Sequence, residues 1–170
     1  EGADIVMIGC GFPDRFVDEL SANASMIASL RAHVCRGKRI YSEGGGTAYL
    51  GRSMILPDRR VQGVGILPFD AVLLPDARPP IPVTRTLIHD TWLGAQGTIV
   101  RGYRSRRWKL MPKFEPFDCP ACYGALTPDH DFTFHHHAVG SLIHLHLGAL
   151  PEVVAAFAGP HRPSLRRPSN

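Results

Sequence analysis

Between residues 4 and 54 the chain alternates β-prone apolar runs with helical spacing, and this alternation narrows the fold more than any other feature. Ile5-Val6-Met7-Ile8 is an apolar run ended by Gly9-Cys10-Gly11-Phe12-Pro13, the pattern of a buried strand entering a tight turn. Phe16, Leu20, Ile27, Leu30 and Val34 then recur at three-, four- and seven-residue spacings, with Gly37 as a stop after Arg36. That periodicity predicts one helix. Lys38 to Ser42 reads as a second strand, Glu43-Gly44-Gly45-Gly46 as a sharp turn, and Thr47 to Met54 as a second helix. Strand, helix, strand, turn and helix in this order predict an α/β fold on a parallel sheet, with ligand sites at the carboxyl ends of the strands.

After Pro57 the texture changes to short β-prone runs, Val61 to Leu67, Val83 to Trp92 and Thr98 to Arg104, with Gly94-Ala95-Gln96-Gly97 as a hairpin loop. This half is expected to be antiparallel. Met111 to Asp129 is rich in Pro and aromatic residues and reads as an irregular loop, long enough for a functional or partner-facing role. Phe132 to Leu147 is expected to form one or two strands, with His135 and His137 on one face and His136 on the other, and His144 and His146 sharing a face. Pro151 to Ala158 reads as a last helix with Pro at its start, and Gly159 to Asn170 as a flexible basic tail. The expected division is therefore a domain over residues 1–158 and a tail over 159–170.

A length of 170 residues suits one domain with a single well-buried core. With 44% apolar and 20% charged residues the composition excludes disorder as the overall class. No apolar stretch approaches the roughly 18 residues needed to span a bilayer, so no membrane partner is expected. Cys10, Cys35, Cys119 and Cys122 do not form the dense framework of a small secreted domain, which points to a reducing, cytoplasmic setting. The chain begins at Glu1 with a strand already under way, and the expectation is a domain cut from something longer. Net charge is a mild +4, but Arg101, Arg104, Arg106, Arg107 and Lys109 crowd one segment while Arg162, Arg166 and Arg167 crowd the tail. Such clusters suit an anionic small molecule. A solvated basic face is an equal alternative, and nucleic acid a distant third. The oligomeric state, homo-oligomer included, is left open.

Ile40-Tyr41-Ser42-Glu43-Gly44-Gly45-Gly46-Thr47-Ala48-Tyr49-Leu50-Gly51 has the layout of a nucleophile elbow, a reactive side chain on a strained turn with small neighbours. The segment resembles the amidotransferase elbow of cobyrinic acid a,c-diamide synthases, in which a Glu-Cys-Gly-Gly run follows the strand. Gly44 falls where the cysteine would be. Four further segments carry the same resemblance in order along the chain. Ile8 to Asp14 is similar to the family's oxyanion-hole turn, and Gly63 to Pro68 to its Gly-Leu-Leu-Pro strand. Gly97 to Gly102 matches the start of its Arg-Gly-His-Glu-Phe-His hairpin, and Gly140 to Leu147, followed by Pro151-Glu152, resembles the segment with the catalytic histidine.

The resemblance implies a class I glutamine amidotransferase-like (flavodoxin-like) three-layer α/β domain, with a parallel sheet and an antiparallel hairpin extension. It implies a partner as well: an ATP-dependent synthetase domain or subunit that activates a corrin carboxylate with ATP and magnesium, to which this domain delivers ammonia from glutamine. Under it, Gly44 is the lost nucleophile position, and His144 and Glu152 belong to the catalytic set. Cys10, Gly11 and Gly45 then line the oxyanion hole, and Arg101, Tyr103, Arg104, Arg106 and His146 face substrate. Two residues depart from the pattern: Tyr103 and Arg104 stand where His and Glu are expected after Arg101-Gly102. A cysteine thiolate attacks the amide in such an enzyme, and glycine cannot. A corrinoid or other tetrapyrrole polycarboxylate is the ligand this reading implies.

Other readings stay beside it. Cys10 is a thiol that could replace the missing nucleophile, or a small residue of the former oxyanion loop. Cys119-Pro120-Ala121-Cys122, with His130, His135, His136 and His137 downstream, has the ligand types of a zinc site, against two unremarkable thiols. The function classes are an amidotransferase or its ammonia-dependent descendant, and a binding or scaffold protein that kept the fold and lost the chemistry.

Overall fold

The computed structural model describes residues 2–76, 78–113, 123–125, 127 and 129–159. The first half builds the expected alternation. Strand β1 (Ile5–Ile8) pairs in parallel with β2 (Arg39–Glu43), from Ile5 opposite Arg39 to Ile8 opposite Ser42. Between them lie α1 (Val17–Ala22) and α2 (Ala24–Cys35), two helices where the periodicity predicts one. The break is at Asn23, whose side chain accepts the Met26 N–H at 3.0 Å. An Asn cap satisfies a first-turn amide and starts a new helix. After β2 the turn opens α3 (Gly45–Leu50), which ends four residues earlier than expected because Met54 belongs to β3 (Ser53–Ile55).

The second half is richer in sheet than the sequence suggests. Val61 to Leu67 is a strand only over β4 (Arg60–Gln62), and β5 (Phe69–Leu73) follows. Next come β6 (Ile81–Thr86), β7 (Ile99–Arg104) and β8 (Trp108–Pro112). Phe132 to Leu147, expected as one or two strands, makes three: β10 (Phe132–His135), β11 (Ala138–Ser141) and β12 (Ile143–Leu145). His136 sits in the β10–β11 turn with φ +51, so strand alternation does not run through His135 to His137. A short strand, β9 (Tyr123–Ala125), lies where an irregular loop was expected, and α4 (Pro151–Ala158) closes the described chain. The tail beyond Gly159 lies outside the described residues.

Three sheets result among the described residues. The principal one runs β1-β2-β11-β10-β9, with β1, β2 and β11 mutually parallel, β10 antiparallel to β11, and β9 antiparallel to β10. A second, β4-β3-β5-β8, contains the parallel pair β3 and β5, so this half is not wholly antiparallel. The third, β12-β7-β6, is the antiparallel hairpin extension, with the Gly94–Gly97 segment inside the β6–β7 connection. Alternation along β2 sends Ile40 into the core on one face of the principal sheet and Tyr41 into the core on the other. Both are buried, and the same alternation places Ser42 on the side of Ile40 and Glu43 on the side of Tyr41. No described helix is long and apolar enough to cross a membrane.

Candidate active site

The elbow is held by small residues and a hydroxyl cluster. Gly44 has φ +53 and ψ −119, a backbone state open to glycine at little cost and strained for other residues. Its N–H donates to the Ser141 carbonyl at 2.7 Å, while the Thr47 hydroxyl donates to the same oxygen at 2.9 Å and accepts the Ser141 N–H at 3.0 Å. These bonds tie the elbow to β11. The loop after β1 packs directly on the next two glycines. A Cβ on Gly45 would lie 2.2 Å from the Gly11 carbonyl, and one on Gly46 would lie 2.6 Å from that of Gly9. Cys10 and Gly11 therefore lie against the elbow glycines Gly44 and Gly45.

His144 faces position 44. A Cβ built on Gly44 would lie 3.0 Å from its Cε1, 3.2 Å from its Nε2 and 3.1 Å from the Cβ of Cys10, whose free thiol is exposed. His144 Nδ1 is 3.3 Å from Glu43 Oε2. A carboxylate only accepts, so Nδ1 is the donor in this contact, and in the neutral ring Nε2 then presents its lone pair toward position 44. The other Glu43 oxygen accepts the Leu145 N–H at 2.9 Å and the Tyr41 phenol at 2.7 Å. Burial pushes the Glu43 carboxyl up, but the hydrogen bonds from His144, Leu145 and Tyr41 outweigh it and hold the group below its ordinary value. Glu152, placed in the catalytic set by the sequence reading, is exposed in the first turn of α4. The carboxylate at His144 is Glu43. Glu43 directly precedes the elbow glycine, and no local sequence pattern marks it as the partner of His144.

Because the Glu43 value is depressed on folding, its stabilisation is present above the ordinary carboxylate range and disappears as pH falls through the folded value. Glu43→Gln is expected to lower stability at neutral pH. The difference from wild type should shrink as pH falls below the carboxylate range, as urea melts at several pH values would show.

The hairpin sheet carries the rest of the site. His144 pairs with Tyr103 and Tyr103 with Pro82, while Arg101 pairs with Thr84. His146 donates its N–H to the Arg101 carbonyl at 2.9 Å. Directly opposed residues share a face, so His144, Tyr103, His146 and Arg101 lie on one side. There Pro82, Thr84, Arg101, Tyr103 and His146 line a shallow groove of about 280 Å³. Arg104 points the other way: its Nε donates to the buried Asp131 carboxylate. Arg106 sits in the turn after β7 and does not line the groove, and Arg107 is paired with Asp14. Of the five residues assigned to substrate, Arg101, Tyr103 and His146 come together, whereas Arg104 and Arg106 do not. Arg104→Ala is expected to cost about 2 kcal/mol by stranding Asp131, less than a fully buried pair because Arg104 is partly exposed, and to leave groove binding unchanged. Thermal melts and ligand titration of the same variant would separate the two effects.

Cys119 and Cys122 lie outside the described residues. Among the described residues, no group of three or more His, Cys, Asp or Glu side chains is placed to hold a metal ion.

A parallel-stranded α/β core, a glycine elbow at a strand end and a facing His–Glu pair define a protein of the glutamine amidotransferase class. Residues 1–148 match the CobB/CobQ-like glutamine amidotransferase domain family, and the chain belongs to that family. It is similar to the cobyrinate a,c-diamide synthase of Listeria monocytogenes serotype 4b, at 36% identity over 101 residues, 59% of this chain and 22% of the relative. To the cobyrinate a,c-diamide synthase of Dehalococcoides mccartyi it is 30% identical over 158 residues, 89% of this chain and 34% of the relative. The chain thus spans between about a fifth and a third of the length of these curated relatives. A crystal structure of a glutamine amidotransferase superposes with a TM-score of 0.68 at 15% identity, covering 92% of this chain and 78% of the other. That likeness supports the fold alone.

Proposed function

We propose that this domain is an amidotransferase-like part of a corrinoid or tetrapyrrole amide synthase that does not hydrolyse glutamine, and that ammonia takes the place of glutamine as nitrogen donor. The observation that carries the reading is a His144–Glu43 pair whose Nε2 faces Gly44, where there is no side chain to deprotonate. The base and its carboxylate are kept; the nucleophile is not. Under this reading the amides of Cys10, Gly11 and Gly45 are the remnant of an oxyanion hole, and an ATP-dependent synthetase domain performs the carboxylate activation.

The groove beside His144 supplies the ligand side of the proposal. Arg101 makes no ion pair among the described residues, and it stands with His146 and Tyr103 around one concavity. A guanidinium grips a carboxylate through two parallel hydrogen bonds, and an aromatic ring offers a planar macrocycle a face. The expected ligand is a polycarboxylate of the corrin or porphyrin type. Calorimetry with cobyrinic acid or a porphyrin carboxylate should show binding that weakens with added salt. Arg101→Ala should weaken it further by about 1.5 to 3 kcal/mol, the scale of hydrogen bonds to charged groups. Absence of binding, or binding indifferent to Arg101→Ala, would favour a scaffold role.

A further inference from the structure

We propose that Tyr41 is a positioning residue for the His144–Glu43 pair, fixing the Glu43 carboxylate through its phenol so that His144 keeps its bare Nε2 toward position 44. Tyr41 and Glu43 are two residues apart on β2, and strand alternation puts both side chains on one face. The Tyr41 side chain is 1% exposed, and its phenol donates to Glu43 Oε1 at 2.7 Å. That oxygen also takes the Leu145 N–H at 2.9 Å. Two donors from two different strands therefore immobilise Oε1. With Oε1 fixed, Oε2 is left facing His144 Nδ1.

The ring of Tyr41 is itself fixed. Phe157 of α4 meets it edge-on, with centroids 5.1 Å apart and planes at 82°, and Phe157 meets Trp92 in the same manner at 5.5 Å. Arg39, on the same strand, donates to the carbonyls of Ala156 and Gly159 and so ties the last turn of α4 to β2. A phenylalanine at position 41 would fill the same volume with less desolvation, since a buried hydroxyl costs free energy unless it is bonded. What the hydroxyl adds is the bond to Glu43. A continuous set of contacts therefore runs from α4 through Tyr41 and Glu43 to His144.

The proposal rests on the same His–Glu pair as the functional reading but not on the loss of glutamine hydrolysis. A positive glutaminase assay would overturn that reading and leave this one standing. The test is nitrogen NMR of the His144 ring in the intact chain, which reports which ring nitrogen holds the proton. Wild type is expected to show the Nδ1–H form in large excess. Tyr41→Phe should reduce that excess several-fold with the backbone amide spectrum preserved, and in a Glu43→Gln background the same substitution should change nothing further. Phe157→Leu, which loosens the ring and leaves the phenol in place, should move the signal in the same direction. A His144 signal unmoved by Tyr41→Phe and Phe157→Leu, or an equal effect of Tyr41→Phe with and without Glu43→Gln, overturns the proposal.

Discussion

Gly44→Cys is expected to produce a thiol that alkylates near neutral pH roughly ten-fold faster than exposed Cys35, while lowering stability by about 1 to 3 kcal/mol. The gain follows from the facing imidazole: a thiol beside a histidine base shifts toward thiolate, and a fall in pKa from about 8.5 to 7 or below raises the reactive fraction by that order. The cost follows from the backbone, because φ +53 with ψ −119 is strained for any residue with a Cβ. The new Cβ would also sit 3.0 Å from His144 Cε1 and 3.1 Å from the Cys10 Cβ, so the imidazole must yield by a few tenths of an ångström. Gly45, Gly46 and the Ser141–Thr47 bonds hold the turn independently of position 44, and the elbow should survive. Peptide mapping after iodoacetamide labelling, in a Cys10→Ala background, separates the new thiol from its neighbour. Labelling at position 44 no faster than at Cys35 would mean that His144 does not act on that position.

Gly102→Ala should have the largest effect on stability, about 3 to 4 kcal/mol, and should dismantle the site as well. A Cβ at residue 102 would lie 2.0 Å from the His144 carbonyl oxygen and 2.8 Å from its carbon. Backbone atoms of a paired strand cannot step aside as a flexible side chain does, so β12 must separate from β7. Overpacking usually costs 1 to 3 kcal/mol; loss of the strand pairing adds to that. His144 and Leu145 leave with β12, so both His144 Nδ1 and the Leu145 N–H are lost to Glu43. Chemical denaturation gives the stability change, and the His144 ring signal gives the displacement. A fully stable Gly102→Ala protein with an unchanged His144 would show that β12 does not lie against β7 in this register.

The parts of this site that could be read from sequence are those encoded by local spacing. A strand, three glycines and a helix announce the elbow, and His144 and His146, two apart on a strand, announce a shared face. Glu43 was missed because its role depends on where β12 crosses the end of β2, a contact spanning 101 residues that no local pattern carries. Glu152 enters the catalytic set only through the resemblance of the segment that follows His144, yet it belongs to a helix whose buried residue is Val153. Arg104 and Arg106 share one basic cluster of the sequence with Arg101. Strand alternation separates Arg104 from Arg101, and Asp131, whose buried carboxyl needs a partner, takes Arg104. The helix boundary at Asn23 is not signalled by the apolar period, which runs through it unbroken.

The fold followed from sequence more readily than its proportions did. An apolar four-residue run and a parallel partner suffice for β1 and β2, whereas the short strands β3, β4, β5 and β8 contain only three to five residues each. At that length period-two and period-3.6 patterns are hardly distinguishable. Met54 illustrates the point: it continues the apolar spacing of α3 but is fully buried within β3.

Release of glutamate from glutamine by the purified wild-type chain tests most directly the proposal that the His144–Glu43 pair stands opposite a position without a nucleophile. Loss of a covalent nucleophile lowers turnover by orders of magnitude. Glutamate formation is therefore expected to be no faster than in the His144→Ala variant, with or without Cys10→Ala. Robust release that survives Cys10→Ala and Cys35→Ala but is abolished by His144→Ala would contradict it.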